Sequence, residues 1–210
     1  MASCCHDPSS GMDGAPDPRF RRALWIVLAI NASMFGVEMI SGLFAHSVSL
    51  QADALDFLGD SANYILTLMV LSMSMRWRSG AALIKGATMG LFGLWIIGQA
   101  MWNLYSGALP GAFVMGSIGA LALVANVASA GLLYAFRSGN ANMRSVWLCS
   151  RNDAIGNIAV ILAAGGVFSF SAAWPDLIVA LVMAGLALSS SVLIIRQATG
   201  ELHGQAAAAE

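Results

Sequence analysis

The sequence predicts an all-α integral membrane protein of six transmembrane helices with both termini cytoplasmic. Of its 210 residues, 58% are hydrophobic and 10% charged, against about 25% charged in an ordinary soluble domain. The mean hydropathy is +0.74. Six apolar segments, at about 22–44, 50–75, 79–104, 113–136, 143–168 and 175–197, each reach the ~20 residues that cross a hydrocarbon core. At that depth no water satisfies the backbone, so each must be a helix. A net charge of −1 gives no basis for nucleic-acid binding; where the charges sit is what informs.

Residues 1–20 read as a disordered cytoplasmic tail. They hold Asp, Pro and Gly, and lack the apolar run of a secretory signal. The six-helix domain follows at 21–198, and 199–210 reads as a short cytoplasmic tail. Arg76-Trp77-Arg78 separates the second segment from the third, 106–112 the third from the fourth, 137–142 the fourth from the fifth, and 169–174 the fifth from the sixth. Basic residues set the orientation. Arg19, Arg21 and Arg22 precede helix 1; Arg76, Arg78 and Lys85 flank the helix 2–3 connection; Arg137 and Arg144 flank the helix 4–5 connection; Arg196 ends helix 6. The connections 45–49, 105–112 and 169–174 hold no Lys or Arg. Arg151 is off this pattern and is expected to snorkel toward the cytoplasm. Trp25, Trp77, Trp102, Trp147 and Trp174 fall near predicted interfaces. One Lys against nine Arg, with abundant Ala, points to a GC-rich bacterial genome and hence to a bacterial inner membrane. Gly86 and Gly90 permit close helix contact, either as a homodimer seam between transmembrane helices or as packing within one chain.

Acids concentrate on two of the predicted spans. Helix 2 carries Asp53, Asp56 and Asp60; helix 5 carries Cys149, Asp153 and Asn157 at intervals of four. Asp56 and Asp60, at i and i+4, leave one helix face roughly 6 Å apart at Cβ. A carboxylate near a bilayer centre costs on the order of 2.5–3.5 kcal/mol, so such a pair needs a cation, a proton or both. Helices 2 and 5 are antiparallel. Counting about 1.5 Å per residue from their predicted ends sets Asp56 opposite Asp153 and Asp60 opposite Cys149 near the midplane. Four ligands from two helices suit a tetrahedral divalent ion. Cys149 would favour softer ions such as zinc and cadmium; Asn157 as the fourth ligand would favour harder ones such as cobalt, manganese or iron. Three carboxylates already overcompensate a divalent charge, which weighs against a thiolate beside them.

The stretch HSVSLQADALDFLGDSAN at 46–63 resembles the helix 2 signature of the cation diffusion facilitator family, and CSRNDAIGNIAVILAA at 149–164 resembles its helix 5 signature. Asn31, Glu38 and Gly42 on helix 1 and Trp174-Pro175-Asp176 at helix 6 fall where that family has similar groups. The resemblance covers about 20–198. It implies a six-helix exporter exchanging cytoplasmic divalent metal for protons, with Asp56, Asp60 and Asp153 at ligand positions and Cys149 where the family usually has His. It also implies that the family's cytoplasmic C-terminal domain is missing, so a homodimer would form through the membrane helices.

No cofactor is expected. The metal ion is the substrate, with zinc first and cadmium, cobalt, iron or manganese as alternatives. Carboxylates sharing a site cannot all ionise without a cation, so protons are expected to occupy Asp56, Asp60 and Asp153 when metal leaves. Asp53 reads either as part of an access path at the outer mouth or as a cap of helix 2. Glu38 reads as a structural hydrogen-bonding group or part of a proton path. Cys4, Cys5 and His6 form a candidate metal-capture cluster in the tail, or an ordinary flexible segment. Nothing resembles a phosphate loop, a Ser/His/Asp set or a haem-binding pair, so an enzyme is not expected. Two other functions fit the acids: a membrane metal sensor of the same fold that never completes a transport cycle, and a proton-coupled carrier of organic cations.

Overall fold

In the computed structural model, residues 18–69, 75–136 and 141–207 are described. All the elements among them are α-helices: α1 (Pro18–Phe44), α2 (Val48–Met69), α3 (Met75–Ser106), α4 (Ala112–Tyr134), α5 (Ala141–Phe170) and α6 (Trp174–Ala207). The six predicted segments each correspond to one helix. α1 starts earlier than expected because Pro18 suits a first helical turn, where its missing N–H has no partner to lose. Residues 18–20 therefore belong to the helix rather than to the tail. Arg76-Trp77-Arg78 opens α3 instead of separating two helices. α6 runs on to Ala207, through most of the expected 199–210 tail, because no proline interrupts a run rich in helix formers such as Gln197, Ala198 and Leu202. Cys4, Cys5 and His6 lie outside the described residues.

Five helices are long and apolar enough to cross a membrane. The exception, α2, carries Asp53, Asp56 and Asp60, yet its 22 residues extend about 33 Å at the helical rise. Its location resolves the conflict. The main helix pairs are α1 with α2, α3 with α6 and α4 with α5, and α2 alone touches all five others. Fourteen of its residues are buried. The acid-bearing helix is thus the one most enclosed by protein. The outer faces carry exposed Phe44, Tyr105, Phe113 and Phe168, a surface that suits hydrocarbon rather than water. The chain is a multi-pass membrane protein.

The α1–α2 hairpin is tight. A Cβ on Gly42 would lie 2.8 Å from Gln51 Cγ, and Gln51 Nε2 donates to the carbonyls of Gly42 and Ser47. His46 turns the chain with a φ of 52°, and Asn103 Nδ2 from α3 holds its carbonyl. The N-terminus of α2 is capped from another helix. Asp176, in the first turn of α6 and fully buried, accepts from Ser47 Oγ at 2.8 Å, Val48 N at 2.8 Å, Ser49 N at 3.0 Å and Ser49 Oγ at 2.6 Å. Otherwise orphaned helix-start N–H groups are thereby satisfied.

The Gly86/Gly90 face packs inside the chain, the second of its two readings. A Cβ on Gly86 would lie 2.9 Å from Ile195 Cγ1, and one on Gly90 2.7 Å from Ser191 Oγ. Ser191 Oγ also donates to the Gly86 carbonyl at 2.7 Å. Gly90→Leu is expected to force α3 from α6 and to cost about 1–3 kcal/mol, read as a lower midpoint of thermal unfolding in detergent. Gly98, where an added Cβ meets nothing within 4 Å, should accept Ala without loss.

Candidate metal centre

Asp56 and Asp60 from α2 and Asp153 from α5 line one cavity of about 40 Å³, with Asn63, Lys85, Met89 and Ser190 among the other walls. That volume exceeds the ~10–15 Å³ needed for one water, so a small ion fits. Asp60 and Asp153 are buried and within hydrogen-bonding reach of each other. Two carboxyl groups can share such a bond only with a proton between them. Asp56 is half-buried. In this conformation no three His, Cys, Asp or Glu among the described residues form a group that could hold a metal ion. The three acids face one space without closing on a common point. The side chain of Cys149 lies outside the described residues.

Asp60 meets Asp153 side chain to side chain, a pair that counting from the predicted helix ends does not set opposite each other. Asp60 Oδ2 also accepts from Tyr64 Oη at 2.7 Å, and Tyr64 Oη lies 3.1 Å from Ser150 Oγ. One turn or more outward, Asn157 Nδ2 donates to Asp53 Oδ2 at 2.5 Å. Tyr64→Phe should leave the fold intact, yet reduce metal affinity by roughly 10-fold, the lower end for a group that orients a ligand; titration of purified protein with metal checks this.

Asn157 does not line the cavity. Its oxygen accepts from Asn126 Nδ2 at 2.9 Å and its nitrogen serves Asp53, so the amide belongs to a second polar layer among α1, α2, α4 and α5. Glu38 and Asp53 complete that layer. Both are fully buried and meet side chain to side chain. Neither Glu38 oxygen, nor Asp53 Oδ1, has a donor among the described residues. A proton shared between the two carboxyls gives one oxygen of each a partner without another donor. Asp53 therefore does not cap α2, a task that Asp176 performs, and neither acid lies at an open mouth in this conformation. Arg151 is exposed, with its guanidinium 5.3 Å from the centre of the Trp147 ring, so it faces away from the site.

A model of the cation efflux transmembrane domain matches residues 24–203. The chain belongs to the cation efflux family. Among curated relatives, it is 27% identical over 168 residues to the cadmium, cobalt and zinc/H(+)-K(+) antiporter of Bacillus subtilis, an alignment covering 73% of this chain and 54% of that protein. It is 23% identical over 210 residues to the zinc transporter ZitB of Escherichia coli, covering 94% of this chain and 67% of that protein. The chain thus spans about half the length of the Bacillus relative it matches.

Within this cation efflux protein, two residues that stand at the candidate site eluded the sequence. Tyr64 reads as one more aromatic in an apolar run; only its four-residue spacing from Asp60 could have singled it out. Lys85 reads as a marker of the cytoplasmic connection. In the structure it is buried at 9% exposure, lines the cavity with the three acids and donates from Nζ to Asn63 Oδ1.

Proposed function

We infer that this protein exports divalent transition-metal cations from the cytoplasm in exchange for protons, with zinc as the first candidate and cadmium, cobalt, iron and manganese behind it. The observation that carries the reading is one cavity, inside a membrane bundle, lined by acids from two antiparallel helices. Carboxylates enclosed at such depth call for a cation or protons. The substrates in the names of the two relatives point the same way.

Asp56, Asp60 and Asp153 are the ligands in this reading, with Cys149 the proposed fourth, one turn from Asp153 on α5. Metal draws the three carboxylates onto a common point, which displaces the proton between Asp60 and Asp153. When metal leaves, the proton returns between the two carboxylates and halves the charge of the pair. Alternating exposure of the cavity to the two sides then exchanges metal for protons. The Glu38–Asp53 pair offers a second place for a coupling proton, on the outer side of the site.

The test is metal uptake into inside-out vesicles or proteoliposomes under an imposed pH gradient, for a panel of divalent ions. Uptake that depends on the gradient supports the exporter. Metal binding without uptake of any ion would replace it with a membrane sensor built on the same site. A Cys149→Ser variant that loses cadmium preference over cobalt would support sulfur as the fourth ligand.

A further inference from the structure

Lys85 is the sole lysine of the chain, and it stands in the cavity that holds Asp56, Asp60 and Asp153. A buried ammonium is costly unless anions surround it, and here three carboxylates share its space. Asn63, on the same face of α2 as Asp56 and Asp60, accepts from its Nζ. Lys85 is close enough to act electrostatically on Asp60. Among the described residues that line the cavity, it is the only cation.

We propose that Lys85 is the charge-balancing residue of the metal site, which tunes three carboxylates to the charge of one divalent ion. This rests on the metal-binding reading above. Three carboxylates around one divalent ion leave an uncompensated negative charge in a medium where charge is expensive. Three carboxylates and one ammonium leave two negative charges, which a divalent ion cancels. Lys85 thereby lowers the affinity for the ion below what the bare acids would give, and eases its release. Asn63 holds the ammonium at the wall of the cavity, where it offsets charge without taking a ligand position.

The sign of the effect separates this role from a structural one. A residue that merely props the site open or holds Asn63 would weaken metal binding when lost. A residue that subtracts negative charge would strengthen it. Metal titration of the purified full chain at pH 8, with zinc and with cobalt, should compare wild type with Lys85→Met, Lys85→Gln and Lys85→Arg. The expected result is binding about 10- to 100-fold tighter in the Met and Gln variants, from loss of one nearby like charge at partial screening. Lys85→Arg should stay near wild type, and vesicle uptake by the Met and Gln variants should slow as release becomes limiting. Unchanged or weaker binding in a folded Gln or Met variant overturns the proposal, as does an Arg variant that behaves like Gln. If Lys85→Met does not fold, Lys85→Gln, closer in shape and polarity, decides the question. Absence of metal binding by the wild type itself would instead overturn the metal-site reading.

Discussion

Asp60→Asn is expected to reduce divalent-metal affinity by on the order of 100-fold or more, since groups that only orient a ligand already account for 10- to 100-fold. Asp60 is where the polar contacts of the site converge. It meets Asp153 across the α2–α5 interface, accepts from Tyr64 and shares a cavity with Asp56 and Lys85. The amide keeps the shape and can still pair with Tyr64, so the helical bundle should survive. What it removes is a negative charge and the ability to share a proton with Asp153. Metal titration and circular dichroism on the same sample separate loss of the site from loss of the fold. Wild-type affinity in a folded Asp60→Asn variant would remove Asp60 from the ligand set.

Asp176→Ala should have the largest effect on stability, about 3–5 kcal/mol, as several buried donors lose their shared acceptor. Four donors converge on this carboxylate, and two are backbone groups at the start of α2. Without it, those donors stay buried and unsatisfied, each at a cost of about 1–3 kcal/mol less whatever the structure recovers by relaxing. The damage bears on function as well, because Asp176 ties α6 to the helix that carries Asp56 and Asp60. Thermal unfolding in detergent should show a large fall in midpoint. Asp176→Asn, which keeps one acceptor oxygen, should fall between wild type and Ala. An unchanged midpoint for Asp176→Ala would show that water satisfies the hairpin instead.

Much of this arrangement is legible in the sequence. Hydropathy locates six segments because helix is the only backbone solution in lipid. It fails locally on α2, where acids lower the score of the helix that is the most enclosed. The clustering of Asp56, Asp60 and Asp153 is legible because buried carboxylates are rare and helical spacing assigns them a face. Their pairing is not. Which contacts Asp153 makes across the α2–α5 interface depends on how the two helices pack, as the Tyr64–Ser150 contact beside Asp60 shows. Lys85 was hidden by a sound rule: a basic residue near a helix start marks the cytoplasmic side. Nothing in a single sequence distinguishes a lysine that reaches for the interface from one turned inward toward acids. Asp176 was visible as a residue opening helix 6, but its task is to cap a different helix, and a capping interaction across more than a hundred residues leaves no local pattern.

The central claim is that one acid-lined cavity exchanges metal for protons, and the most direct test follows both in one preparation. Proteoliposomes carrying the full chain and a pH-sensitive dye should be given zinc on one side while zinc uptake and internal pH are recorded together. The account predicts protons moving against the metal, in step with it, with both signals lost in Asp60→Asn. Zinc uptake without proton counterflow, or counterflow that persists in Asp60→Asn, would contradict it.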